Sequence, residues 1–419
     1  MWTWFYIPAL VYLIIVTATG SILRFQWTAP EYTVFNAQYL IHAHSHVAIL
    51  GWLFLMVCGI LLEYGMQRDV LRTNNRTAFS VLVQITVVGM LISFALEGYA
   101  FTSILFSSLH IILSYYFAVI YFRYERMDLQ PNVRNFYNAA VFWMILSSFG
   151  PWLMAAGSSL TPFWIDSAIS FYLHLQFNGW FIFFLFGFAY QFLINRHYHH
   201  KPKWGSWPFC LIFLGLLPSL LPMLDSSSLS PWIIVVGSVG TLVYTVGSGM
   251  VLWLIWKSRV VLATHKSRSL FLFAFSASIV KTIMQGSLIS PIVVNLFLES
   301  HYVVIAFIHL LLLGLISTSF LFIITLKNEY VVDTKSWLAG SVMYQLGVTG
   351  MLLLLFGIGL MQVLGKVLYF NFQMWLFVTG LVVMVGVLWM TGSLSVWQIQ
   401  DSMSTSSKKE AMIDDPICK

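Results

Sequence analysis

Hydrophobic and polar positions along this 419-residue chain alternate on one long period, with apolar runs of about twenty residues separated by short polar stretches. A run of that length crosses roughly 30 Å of hydrocarbon as an α-helix, which satisfies all of its own backbone groups there. Twelve runs are read, over residues 4 to 24, 38 to 63, 78 to 99, 102 to 122, 136 to 156, 165 to 195, 207 to 223, 231 to 256, 269 to 290, 302 to 326, 339 to 363 and 372 to 397. The pattern predicts an all-α polytopic membrane protein, with one twelve-helix domain over residues 1–398 and a polar Ser- and Lys-rich tail over 399–419. The tail is too polar to bury and is expected to be disordered. No small-residue cleavage signature follows the first run, so it reads as a retained helix rather than a signal peptide.

Composition agrees, since 59% of residues are hydrophobic, only 9% are charged, and the mean hydropathy is +0.84, which excludes a soluble domain. Charge then orients the helices, because short cytoplasmic loops collect Lys and Arg. With both termini cytoplasmic, 18 of the 21 basic residues fall in inner segments; Arg24 and Lys366 fall outside and Lys281 within a span. The net charge of +6 therefore reflects orientation against an anionic leaflet, and no basic patch remains for nucleic acid. Cys58, Cys210 and Cys418 lie in a span, near the start of another and in the tail, so they form neither a disulfide framework nor a metal knuckle.

The same orientation sorts the 11 histidines. His197, His199, His200 and His265 fall in basic inner loops, whereas His42, His44, His46, His110, His174, His301 and His309 all fall in the outer half or at the outer interface. Ionisable groups are costly inside a membrane, and a set at one depth points to a shared site; interhelical hydrogen bonding by neutral imidazoles is the plainer alternative. A motif repeats among them. His46 is followed by Gly51 and Trp52 and then Gly59, and His174 by Gly179 and Trp180 and then Gly187, both reading H-x4-G-W-x6-G. His309 is followed by Gly314, with Leu315 in place of the Trp. The spacing predicts three four-helix repeats that carry a histidine on the second helix of each. Each glycine leaves room for a flat macrocycle or a neighbouring helix to approach the backbone. On the second span His44 and His46 differ by about 200 degrees and point into different inter-helix spaces, while His42 and His46 share a face.

Twelve helices with these histidines resemble the catalytic subunit of the haem-copper oxidase superfamily, which includes terminal oxidases and nitric oxide reductases. The resemblance implies three pseudo-symmetric four-helix arcs in a bacterial-type cytoplasmic membrane, a haem b, and a quinol or cytochrome electron donor, with room for an accessory subunit. It assigns His44 or His46 and His309 to the low-spin haem and His174 to the copper. Two departures stand against an intact binuclear centre: Phe307 occupies the position of the high-spin haem ligand, and Leu220 to Ser228 contains no histidine pair. His42, His110 and His301 are secondary candidates for a metal. Arg24 and Lys366 are candidate partners for haem propionates, and Lys281 and Glu97 candidate proton or charge relays. Three function classes follow: a haem-binding electron-transfer protein or nitric oxide- or oxygen-handling oxidoreductase; a copper-binding protein in which His44 or His46, His174 and His309 converge on one ion; and a transporter whose histidines relay protons or pack helices.

Overall fold

The computed structural model describes residues 2–67, 73–155, 161–195, 205–224, 230–259, 267–327, 335–366 and 371–413. The four histidines expected in basic loops lie outside these residues. Among the described residues eleven helices are long and apolar enough to cross a membrane: α1 Trp4–Thr28, α2 Ala37–Gly65, α3 Asn75–Glu97, α4 Phe101–Arg123, α5 Pro131–Ala155, α6 Pro162–Asn195, α8 Pro231–Lys257, α9 Arg268–Ser287, α10 His301–Lys327, α11 Lys335–Val363 and α12 from Phe372 to Leu394. The last continues as helix to Ile413. Among the described residues there is no strand, only one isolated bridge between Met66 and Glu125.

The seventh run departs from a plain span. It forms a shorter helix, α7 Trp207–Leu216, followed by a 3-10 segment Pro218–Met223. Pro218 and Pro222 each lack the N–H that would continue an α-helix. The break lets α8 approach, since a Cβ on Gly240 would stand 2.3 Å from the Pro218 Cβ. Elsewhere the starts follow local chemistry. Pro131, Pro162 and Pro231 open their helices in the first turn, where a missing N–H costs nothing. Asn36 caps α2 by accepting from the Gln38 and Tyr39 amides, and the Ser300 hydroxyl caps α10 at the Val303 amide. Gly98, at φ +66°, makes the tight turn from α3 to α4.

Burial separates three helices from the rest. Within the span windows 83% of α2, 78% of α6 and 67% of α10 is buried, against 28% to 56% for the other eight spans. These are the second helices of the three predicted repeats, and they meet on the bundle axis. The Trp52 indole on α2 donates to the Ser317 hydroxyl on α10 at 2.8 Å, and Phe320 packs against both Trp52 and Phe184 of α6. The peripheral helices surround them, and α12 returns to pack on α1, closing the ring. At the end that carries Arg123, Lys257 and Lys327, the basic end, Lys327 of α10 pairs with Glu63 of α2 while the Tyr6 hydroxyl of α1 donates to the same carboxylate at 2.9 Å.

The repeat is also visible in backbone form. Each central helix widens into a π-helical stretch that begins at the residue after its motif histidine: Val47–Leu53 after His46, Leu175–Phe181 after His174 and Leu310–Ser317 after His309. A π-turn inserts one residue, frees a carbonyl from the ordinary ladder and is frequent at functional sites. Polar side chains bond to carbonyls of these stretches: the Tyr244 hydroxyl donates to the Asn178 carbonyl at 3.3 Å, and the Tyr344 hydroxyl to the Leu313 carbonyl at 2.8 Å. The motif glycines lie inside these stretches and face helices. A Cβ on Gly51 would stand 3.0 Å from Val87 of α3 and 3.1 Å from Tyr12 of α1. On Gly179 it would stand 2.6 Å from Trp143 of α5 and 3.2 Å from Leu216 of α7, and on Gly314 3.4 Å from Ala277 of α9. The glycines thus serve helix packing.

Candidate functional site: a histidine pair between the second and tenth helices

The histidines separate according to what their two ring nitrogens touch. On α2, His44 Nδ1 is 3.1 Å from the Thr19 hydroxyl of α1. That hydroxyl has the Ile15 and Val16 carbonyls within reach of its one proton, at 2.9 and 3.0 Å, and with the proton on either of them it accepts from His44 Nδ1–H. On α10, His309 Nδ1 faces the Ile305 carbonyl at 2.8 Å, and a carbonyl only accepts. Both rings are therefore held in the tautomer that leaves an Nε2 lone pair. Among the described residues the His44 ring bonds to the Thr19 hydroxyl and the Val16 backbone, and the His309 ring to the Ile305 carbonyl. Both side chains are half-buried although they lie inside the bundle, so they border open space between helices.

That space is shared. His44 and His309 lie within electrostatic reach of each other, and Arg24 within reach of both. Gly20 lets the His44 ring lie against α1, where a Cβ would stand 3.1 Å from the ring carbon Cε1. At the histidine end, Arg24 of α1 donates to the Gln373 side chain of α12 at 3.2 Å, and Gln373 donates to the Tyr302 hydroxyl of α10 at 3.4 Å. Tyr302 stands seven residues before His309 and so shares its helix face. These contacts bring two imidazoles and one guanidinium to the junction of α1, α2, α10 and α12.

On the other side of α2, His46 Nδ1 faces the His42 carbonyl at 2.8 Å and its ring stacks on Phe94 of α3 at 4.2 Å. His42 meets Tyr99 edge-on at 4.6 Å. The expected division of the second helix into two histidine faces is thus present, His44 toward α1 and His42 with His46 toward α3. His110 of α4 is buried, its Nδ1 3.0 Å from the Thr86 hydroxyl and its Nε2 without a partner among the described residues.

His174 differs from all of these. It is 4% exposed, and its Nε2 donates to the Leu216 carbonyl at 3.0 Å, beside the Ser219 hydroxyl at 3.2 Å. Its Nδ1 is 3.4 Å from the Asn178 amide, which supplies a donor. Both nitrogens are engaged, and the end of α7 presents a carbonyl and a serine where the resemblance calls for further copper ligands. Phe307 packs edge-on against Phe297 at 5.6 Å in an apolar cluster with Leu288 and Val294. Among the described residues no three His, Cys, Asp or Glu side chains form a group able to hold a metal ion. The expected convergence of a second-helix histidine, His174 and His309 on one ion is not found among the described residues, and both nitrogens of His174 are engaged at the end of α7 and by Asn178.

The remaining candidates lie apart from this junction. His301 is exposed at the start of α10, and Lys366 is exposed between α11 and α12. Glu97 is exposed at the α3–α4 turn, where it accepts from the Thr102 hydroxyl at 2.8 Å. Lys281 is 2% exposed within α9 and donates to Gln285. Thr19, Tyr302 and Gln373 were not singled out by sequence reasoning. The small-residue stretch Thr17-Ala-Thr-Gly20 and the seven-residue spacing to His309 are the only signals that pointed to the first two. No protein-family model matches this chain, and no curated protein is similar to it.

Proposed function

We propose that this is a membrane haem protein in which His44 and His309 hold the iron of a haem b through their Nε2 atoms, and that it carries electrons as a divergent relative of the haem-copper oxidase catalytic subunit. The observation that carries the reading is that His44 of α2 and His309 of α10 lie within electrostatic reach of each other and of Arg24, each with its Nδ1 held by a hydrogen bond. Ligating histidines characteristically commit the other ring nitrogen to a carbonyl or a side-chain acceptor, which orients the ring and raises its basicity. Bis-imidazole ligation fills both axial positions of a haem iron and suits one-electron transfer more than gas binding. Arg24, itself steadied by Gln373, supplies positive charge for a propionate. His44 rather than His46 is the axial residue, because His46 faces α3.

The rest of the donor set supports a carrier over an oxygen-reducing centre. His174 is hydrogen-bonded at both nitrogens and Phe307 lies in an apolar cluster. The basic end is assigned to the cytoplasm and the histidine junction to the outer side of a cytoplasmic membrane. An optical spectrum of the purified protein with metal analysis tests the reading. One haem per chain and a sharp alpha band on reduction are expected; a colourless protein with stoichiometric copper would replace it with the copper-handling alternative.

A further inference from the structure

A second feature stands apart from the proposed haem site. A cavity of about 100 Å³ lies among α6, α8, α9 and α10, in the half of the bundle toward the basic end. Its walls are almost wholly apolar, including Phe186, Phe271 and Phe322, with Ser248 among the few polar groups. It is elongated: on α9 it extends from Lys281 back to Phe271, ten residues and about 15 Å of helix axis.

Lys281 lines this cavity at its mid-membrane end and is 2% exposed. Its ammonium donates to the Gln285 side-chain carbonyl and stands 4.9 Å from the centre of the Tyr244 ring. Both partners are neutral, and no carboxylate pairs with Lys281 among the described residues. A buried lysine held only by a carbonyl and a ring face has no counter-charge of its own, and its charged form is stable there only when paired. Nothing in the proposed haem site uses it, since Lys281 lies on α9 and that site is built from α1, α2, α10 and α12.

We infer that this cavity is a binding site for an alkyl carboxylate of medium chain length, with the carboxylate on Lys281 Nζ and the hydrocarbon tail along Phe186, Phe271 and Phe322. The lysine without a counter-charge sets the head, and the elongated apolar lining sets the tail. The ammonium supplies the charge-assisted hydrogen bonds that an alcohol or ester head would accept only weakly. Because the site replaces a missing counter-charge, it discriminates charge first and chain length second. Lys281→Met removes the buried cation and fills a similar volume, a change that buried ion sites tolerate in the folded state.

Binding of radiolabelled decanoate to the full-length protein in nanodiscs, with empty nanodiscs as blank and decanol as the uncharged competitor, tests this. The wild-type protein is expected to take up one decanoate per chain, saturably, and decanol is expected not to displace it. Lys281→Met should weaken binding at least about 30-fold, the loss that follows truncation of one partner of a buried charge pair, whereas Lys281→Arg should keep it within about tenfold. Ala189→Phe, which fills the cavity and leaves the lysine, should also abolish uptake. Uptake no greater than that of empty nanodiscs, equal binding by Lys281→Met, or displacement by decanol at the same concentration as by decanoate would each overturn the assignment. A retained thermal melting curve shows that the variants are folded.

Discussion

Replacing Thr19 by valine isolates the hydrogen bond that fixes the His44 tautomer while leaving side-chain shape almost unchanged. In the native site His44 Nδ1–H donates to the Thr19 hydroxyl at 3.1 Å, and that hydroxyl returns no proton while its own is on the Ile15 or Val16 carbonyl. Valine removes the hydroxyl acceptor and leaves the Val16 backbone as the ring's remaining partner, at a cost of about 1–3 kcal/mol. The imidazole recovers part of that by moving its proton to Nε2, and the moved proton occupies the lone pair the iron requires. At about 1.4 kcal/mol per tenfold, the loss corresponds to a haem affinity lowered roughly 10- to 100-fold, the range typical for removal of a ligand's orienting partner. Transfer of haem to excess apomyoglobin measures it: Thr19→Val should release haem faster by that factor, and Thr19→Ser should behave as wild type. If Thr19→Val releases haem at the wild-type rate, the tautomer argument is refuted.

Other substitutions separate packing from ligation. His174→Ala should lower thermal stability by about 1–3 kcal/mol and leave the haem spectrum unchanged, because its ring serves the Leu216 carbonyl and Asn178. Gly179→Ala should destabilise by about 1–3 kcal/mol, since the new Cβ would stand 2.6 Å from Trp143. Gly314→Ala, with 3.4 Å to its nearest neighbour, should be neutral or stabilising by up to about 1 kcal/mol; melting curves in one detergent compare the two. Purified protein given a reduced quinol or cytochrome should show no cyanide-sensitive oxygen uptake, and sustained four-electron turnover would mean that copper ligands come from positions such as His46 or His110.

The sequence displays the architecture through quantities that depend only on neighbours along one helix. Run length marks the spans, the H-x4-G spacing marks α2, α6 and α10 as central, and the 200-degree offset of His44 from His46 places them in different spaces. What the sequence conceals depends on contacts between distant segments. His174 reads as a ligand from its motif, and only the end of α7, more than forty residues on, reveals a carbonyl already waiting for its Nε2. The repeated glycines read equally as cofactor or helix contacts until Trp143 and Tyr12 are seen against them. Thr19 and Gln373 are ordinary membrane-helix residues until α1 and α12 are brought beside the histidines. The seventh span shows a visible warning in Pro218 and Pro222, since hydropathy counts apolar residues and is blind to the missing amide hydrogens.

The central claim is that His44 and His309 ligate one haem, and low-temperature EPR with optical spectra of four single alanine variants tests it most directly. His44→Ala and His309→Ala should each abolish the low-spin bis-imidazole signal, while His46→Ala and His174→Ala retain it at wild-type position. Survival of the low-spin signal in His309→Ala, or its loss in His46→Ala with His44→Ala unaffected, would contradict the account.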